Sequence, residues 1–380
     1  MGKQLKTVWW RDGVFVLASL IFFFSIAPAK AEDEVSTLMA DTLNQAEEAK
    51  FGFGKGSVIV APIPLKNPAL GDGLIVTGGY LFKFDEKSDT SFVGAAAVRT
   101  SNGSMGTGIA ANLNFDQGRW SVLSMFGRAR ANYSIYGIGS FRFGPVPLSQ
   151  EGTFARVGVG YGITDTFTIG VDAQYLDTKI RPNGGGTFPI GSLPGFGIGV
   201  RQVLAGPKIS FDTRDDTIYP TRGLYASLLV QHGFGLGNFD NSFTRGTAVV
   251  KAYLPVGERG VLAVAATGCR ASRGAPFFNM CSVGASDKLR GYAAGEYIDN
   301  ALFSAQAEFR YRLSSRWGVA AFAGASAVGS DFSGLGERLY AGGIGLRYRL
   351  SKSFPLDFSI DQAVNADGDT SIYVYIGQPF

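Results

Sequence analysis

At 380 residues the chain is long enough for two soluble domains, but only 17% of it is charged, 13% is aromatic and 53 residues are glycine, against about 25% charged in an average soluble protein. The formal net charge is +4 and there is one histidine, His232, which excludes an imidazole-ligated metal centre and a paired-histidine acid–base site. Beyond the first thirty residues no stretch approaches the ~20 apolar residues of a membrane helix, so a polytopic helical membrane protein is excluded, and no cofactor is implied.

Lys3, Lys6 and Arg11 precede an apolar run from Val14 to Ile26, and Ala29 and Ala31 close it with small residues two apart. This is the pattern of a secretory signal, expected to span residues 1–31 and to be cleaved. Its removal takes away four basic residues and Asp12, leaving the mature chain near +1; no nucleic-acid partner is expected. Residues 32–56 read as a short leader, with a helical pattern over Glu32 to Lys50 that sets Leu38, Leu43 and Ala46 among acids. That helix is either solvated or the cap of a pore.

From residue 57 to 380 the sequence divides into segments of roughly ten to thirteen residues with period-two alternation, the dyad pattern of an all-β transmembrane barrel. Strands are expected near 57–65, 72–84, 90–100, 105–116, 119–131, 152–162, 165–177, 205–212, 223–233, 242–254, 260–269, 300–313, 316–328, 339–350, 354–363 and 370–380. That is about sixteen, and an even number is usual for a closed bacterial barrel. In 301–313, Phe303, Phe309, Tyr311 and Leu313 share one face while Ser304, Gln306, Glu308, Arg310 and Arg312 share the other; one suits lipid, the other water. A soluble sandwich alternates too, but its strands run to about five or six residues and do not carry Tyr and Phe outward at their ends.

Short connections fall at 85–89, 116–118, 162–164, 255–259, 314–315 and 351–352, and the long ones, 132–151, 178–204 and 270–299, all fall on the opposite side. Outer-membrane barrels have short periplasmic turns and longer outer loops, so the first strand rises from the periplasm and the leader is periplasmic.

Several positions carry chemistry. Pro62 and Pro64 lie two apart in the first strand, so their missing N–H groups face the same neighbour; if that is the last strand, the closing seam loses ladder bonds, and Pro379 weakens the same region. Arg128, Arg130, Arg245, Lys251, Arg310, Arg312, Arg347 and Arg349 fall on faces assigned to the lumen, where they either attract anions or pair with carboxylates and carbonyls of a filled barrel. His232 has no neighbouring serine motif and reads as a surface residue rather than a triad member. The glycine runs at 184–186 and 342–343 lack the following helix of a nucleotide loop. Cys269 and Cys281, the only cysteines, lie in a loop facing the oxidising exterior and are expected to pair. The chain ends on alternating apolar residues that lead through Ile372, Val374 and Ile376 to a terminal Phe380, which resembles the carboxy-terminal assembly signal of bacterial outer-membrane barrels; its own insertion is expected to need that assembly machinery.

Two stretches resemble a particular family, the BamA/TamA outer-membrane assembly superfamily, also called bacterial surface antigens. Phe211, Asp212, Thr213, Arg214, Asp215 and Asp216, followed by Pro220, Thr221, Arg222 and Gly223, are similar to that family's turn between strands eight and nine. Lys288, Leu289, Arg290, Gly291 and Tyr292, with Glu308, Phe309, Arg310 and Tyr311 downstream, are similar to the arginine-glycine-aromatic motif of its sixth outer loop. The resemblance implies that Arg290, Gly291 and Tyr292 hold that loop inside the lumen, and that Pro62, Pro64, Pro379 and Phe380 border a seam between first and last strands that opens to lipid.

Two departures stand against the family's pattern. Its members carry periplasmic domains before the barrel, and Glu32 to Lys50 leaves no space for one, so a barrel-only member without POTRA domains is expected. Where relatives place an aspartate in strand thirteen as partner of the loop arginine, this chain has Gly324; Glu308, Asp357 or Asp361, all lumenal by parity, is expected to replace it. The function expected is assembly or translocation of protein or lipid clients in the outer membrane, without covalent chemistry, with a separately encoded periplasmic partner left open, as is the oligomeric state. The competing readings are a passive pore or surface antigen, and an outer-membrane lipid hydrolase, which needs a nucleophile–base pair that His232 is poorly placed to supply.

Overall fold

Alternating β-branched and aromatic residues build strands whose two faces meet different surroundings, and the register shows how they join. The computed structural model describes residues 56–184, 199–217, 219–237, 241–350 and 357–379. The signal at 1–31, the leader up to residue 55, the connection at 351–352 and Phe380 lie outside the described residues.

The strands are β1 (Ser57–Asn67), β2 (Gly71–Phe82), β3 (Ser91–Thr100), β4 (Met105–Phe115), β5 (Trp120–Ile138), β6 (Phe141–Gly162), β7 (Phe167–Pro182), β8 (Gly199–Asp212), β9 (Gly223–Gly235), β10 (Ser242–Val256), β11 (Gly260–Ala271), β12 (Cys281–Ser282), β13 (Ile298–Asp299), β14 (Ala301–Arg312), β15 (Trp317–Gly329), β16 (Leu335–Arg349), β17 (Asp357–Asn365) and β18 (Thr370–Ile376). All but β12 and β13 close one antiparallel barrel of sixteen strands, each paired with its sequence neighbour and β1 with β18; β12 and β13 form a separate ribbon in the long loop between β11 and β14.

Cross-strand pairing carries one parity outward round the whole wall: Ile109 lies opposite Phe126, Ile209 opposite Leu228, and Ala321 opposite Ile344. Ile109, Phe126 and Ile344 are exposed to the surroundings, while Asn112, Asn114, Ser210, Gln306, Glu308 and Arg310 point inward and are buried. Apolar outside and polar inside is the arrangement of a membrane barrel. At the periplasmic end, Phe115, Trp120 and Tyr161 run on from one another with ring centroids 6.5 and 4.9 Å apart, and Trp317 meets Tyr348 at 4.8 Å, part of an aromatic girdle. The turn between β4 and β5 is tight, with positive φ at Asp116, Gln117 and Gly118.

Three expectations change. The segment 132–151 is not a long loop: β5 and β6 continue pairing beyond the membrane to Ile138↔Phe141, with an irregularity between Ile135 and Gly137. The hairpin persists because Ile135, Val146 and Leu148 gain a buried partner set in Ile180, Phe277 and Ile298 over the outer mouth. The connection at 178–204 is likewise shortened, since β7 runs to Pro182 and β8 starts at Gly199. Arg128 and Arg130 do not face the lumen; they share the outward parity of Phe126 and lie opposite Thr107 and Met105 of β4. Arg245, Lys251, Arg310, Arg312, Arg347 and Arg349 have the inward parity.

The closing seam is unlike every other joint. β1 pairs with β2 along its full length, from Ser57↔Leu81 to Asn67↔Gly71, but among the described residues it pairs with β18 only at Lys66↔Val374. Continued, that register would set Pro64 against Ile376 and Pro62 against Gln378. After β18 the chain turns at Gly377, at φ +92°; the Gly377 N–H donates to the Asp357 carbonyl (2.7 Å) and the Gln378 side chain donates to the Asp357 carboxylate (2.7 Å). The end of the chain is thus tied to β17.

Candidate functional site: a loop anchored in the lumen

The loop between β11 and β14 folds back into the barrel, and local backbone geometry aims its arginine. Lys288 at φ +60° and Gly291 at φ +109° are left-handed on either side of Arg290. A side chain on Gly291 would also sit 2.9 Å from the Ala341 Cβ, so glycine is required there twice over. Arg290 is 5% exposed. It pairs with Glu308 of β14 at 2.7 Å and with Asp361 of β17, and its guanidinium carbon lies 3.4 Å from the ring centroid of Phe322 on β15. The Gly291 N–H donates to the Tyr373 hydroxyl of β18 (2.8 Å), and the Tyr292 hydroxyl donates to the Tyr340 carbonyl of β16 (3.0 Å). Three consecutive loop residues therefore touch β14, β15, β16, β17 and β18.

The wall beneath is itself a network. Glu308 also binds Arg310 (2.8 Å) and Arg347 (3.4 Å), and Asp361 also binds Arg347 and receives the Tyr375 hydroxyl. Asp357, one of the acids expected beside Arg290, instead holds Arg312 and Arg349 (2.7 Å to the latter). It lies four residues from Asp361 along β17, about 13 Å at the rise of an extended strand, and so serves a second cluster nearer the periplasm.

The β8–β9 turn belongs to that lower cluster. Asp212 pairs with Arg214, both nearly fully buried, and Arg214 lies over the Tyr225 ring at 5.0 Å. Asp215 accepts from the Thr221 and Arg222 backbone N–H groups at 2.9 and 3.1 Å and from the Thr221 hydroxyl; burial raises its carboxyl, but these donors outweigh it and hold it below the usual range. Pro220 is buried in the bend. Gly223 closes the turn at φ +107°, where a Cβ would be 2.7 Å from the Arg214 Cα. Tyr219, between these motif residues, lies under Arg312 and Arg349 at 4.7 and 4.8 Å, so the turn crosses the floor of the lumen.

At the outer end the β5–β6 hairpin binds the loop through Gly139 N–H to the Ile298 carbonyl (2.8 Å) and Arg142 to the Glu296 carbonyl (2.8 Å), and Arg142 also pairs with Glu337 of β16. The sequence matches the Omp85 superfamily domain over residues 127–380, which contains both motifs. The chain belongs to the Omp85 superfamily.

Among solved structures, this Omp85 barrel is similar to BamA from Haemophilus ducreyi lacking POTRA domains 1–3, at 15% identity and a TM-score of 0.58 over 84% of this chain and 69% of that one. It is also similar to CdiB from Acinetobacter baumannii, at 10% identity and a TM-score of 0.51, over 82% of this chain and 57% of that one. At such identities the likeness is one of fold. No curated protein matches the chain. Family and architecture place the protein in the bacterial outer membrane.

Gly324 gives this Omp85 barrel a different anchor. A Cβ there would lie 2.7 Å from both the Leu289 Cδ1 and the Gln306 Cγ, so Leu289 of the loop occupies the space an aspartate at position 324 of β15 would need, and the carboxylates come from β14 and β17. Arg347 was placed in the lumen from sequence but not beside Arg290, and Phe322, Tyr373 and Tyr375 were not singled out; the available signal was their shared inward parity with Glu308 and Asp361.

Cys269 at the end of β11 and Cys281 of β12 form a disulfide that ties the loop's first half to the wall. Its reduction is expected to destabilise the protein by about 3 kcal/mol in the chain-entropy model, read as a lower urea midpoint. A midpoint unchanged by reductant, with both thiols then open to labelling, contradicts this.

His232 sits on the outer face, exposed. Cross-strand pairing places the Ser242 hydroxyl 3.1 Å from its Nε2 and the Thr244 hydroxyl 3.3 Å from its Nδ1, a hydroxyl–imidazole contact that the linear sequence did not reveal. The strands that carry it are paired through the β9–β10 ladder, so their amides are engaged there rather than aimed at a developing oxyanion.

Proposed function

We propose that this Omp85 barrel acts without covalent chemistry in the membrane insertion or transport of protein or lipid clients, using its lumen-folded loop and the weak seam between β1 and β18. The observation that carries the reading is the asymmetry of β1, paired along its whole length on one edge and, among the described residues, at a single position on the other. Each missing ladder bond is worth about 1 kcal/mol, so the absent N–H groups of Pro62 and Pro64 tilt an opening equilibrium without breaking the barrel. Arg290, Gly291 and Tyr292 hold the loop against the strands that border the seam, and Pro379 keeps the last residues out of a regular ladder. Outer-membrane lipid surrounds the opening.

The test locks the seam. With Lys66→Cys and Val374→Cys together, oxidised in liposomes, insertion of a urea-unfolded outer-membrane barrel is expected to slow about tenfold or more and to recover on reduction; the native chain is assayed beside it with and without reductant. Acceleration that survives the lock rules out a working seam. No acceleration by the native chain favours a passive barrel.

A further inference from the structure

The outer face of the barrel carries charge where the apolar band ends. Eight to ten residues up a strand from the periplasmic girdle, at about 3.3 Å each and a tilt of about 40°, reach about 20–25 Å, the height of that band. Measured from Trp120, this is where Arg128 and Arg130 lie on β5; from Tyr161 it is Glu151 on β6, and from Phe211 it is Arg201 on β8. Asp177 and Lys179 lie at and just above this level on β7, measured from Phe167. On β3, Arg99 lies across Met105, which is ten residues from Phe115. The register gives all of them the outward parity of Phe126, Val157 and Val171.

The patch is basic in sum, with Arg99, Arg128, Arg130, Lys179 and Arg201 against Glu151 and Asp177. Glu151 serves two arginines at once, at 3.2 and 3.1 Å, and Asp177 holds Arg201 at 3.1 Å. The guanidinium groups remain open outward, Arg128 being 72% and Arg201 56% exposed along the side chain. On the opposite wall the outward positions near the rim include Phe234, Thr244, Phe303 and Tyr340, and Lys66 is matched by Asp72 at 3.6 Å. Arg338 on β16, ten residues from Tyr348, and Arg270 on β11, across from Ala301, also have the outward parity at this height, but each is the single cation of its strand there and Arg270 donates to the Ser330 carbonyl. The clustered surplus lies on β3–β8, a width of about 24 Å at the usual strand spacing.

Cations at the midplane of a lipid-facing wall are costly, but at the interface they are tolerated, and guanidinium groups bind phosphate oxygens bidentately. Side chains at this height and parity meet the headgroups of the outer leaflet. We propose that the β3–β8 rim is a binding site for phosphate-bearing lipid headgroups, with Arg128 and Arg130 at its centre and Glu151 as the internal competitor that phosphate displaces.

The experiment titrates the full chain, in uncharged detergent, with diphosphorylated lipid A, with the same glycolipid dephosphorylated, and with phosphatidylglycerol. Dephosphorylation is expected to weaken binding more than tenfold. Arg128→Gln with Arg130→Gln is expected to weaken it about 25-fold at low salt, near fivefold per charge, while Glu151→Gln tightens it and Arg259→Gln at a periplasmic turn changes nothing. Preference for lipid A over phosphatidylglycerol assigns the site to the glycolipid phosphate; equal binding assigns it to lipid phosphate in general. Equal affinity for the dephosphorylated lipid overturns the proposal, as does a Glu151→Gln form that binds no tighter. The Glu151 arm stands even if the double variant does not fold.

Discussion

Glu308→Gln is expected to destabilise the barrel far more than Arg290→Ala, although each removes one charge from the same buried cluster. Among the described residues five charged side chains form it: Arg290, Arg310 and Arg347 with Glu308 and Asp361. Glu308 is fully buried and bound to all three arginines. Its neutralisation leaves three cations beside one carboxylate, and stranding buried charge costs about 3–5 kcal/mol. Arg290→Ala leaves two arginines facing two carboxylates, so the wall stays balanced. That variant loses the loop's own charge-assisted bonds and its contact with Phe322, about 2–3 kcal/mol, and the loss falls on the loop rather than the wall. Urea unfolding of the two variants in micelles separates the outcomes, with limited proteolysis near Lys288 reporting the loop. In Arg290→Ala the loop should become cleavable while the barrel midpoint moves little, and client insertion should fall. A midpoint for Arg290→Ala as low as that of Glu308→Gln contradicts the charge balance argued here. If the chain is instead a plugged passive pore, Arg290→Ala raises conductance and has no insertion activity to lose.

Gly345→Val carries the second large effect. Gly345 faces the lumen on β16, across from Asp361, and a Cβ there would overlap the Asp361 carboxylate and the Arg347 guanidinium, with the Asp361 Cγ at 3.1 Å. The missing side chain is the space in which that ion pair lies. Valine must push the pair apart, combining overpacking with a broken buried contact, for about 3 kcal/mol or more. Gly246→Ala serves as the comparison, because the nearest atom to its Cβ is 4.0 Å away; it is expected to stay within about 0.5 kcal/mol. The two variants are compared by urea midpoint, and near-equal midpoints contradict the role given to Gly345.

Period-two alternation is a local property of an extended chain, so the sequence alone determined the membrane barrel and its sixteen strands. The two motifs were legible for the same reason: each is a contiguous stretch whose turn chemistry does not depend on distant residues. Alternation failed where both faces look alike. On β5, Trp120, Val122 and Phe126 alternate with Leu123 and Met125, so parity there is decided only by pairing with Ile109 and Leu113 of β4, and Arg128 and Arg130 follow it outward. The hairpin of β5 and β6 likewise outruns the membrane because Ile135 and Leu148 find Phe277 and Ile298, far away in the chain. The partners of Arg290 needed long-range assembly of the wall, since Glu308 and Asp361 are brought together only when β14, β15, β16 and β17 lie side by side. Parity placed three acids in the lumen; the height of each along its strand, set by long-range register, decided that Glu308 and Asp361 meet the loop while Asp357 meets the floor.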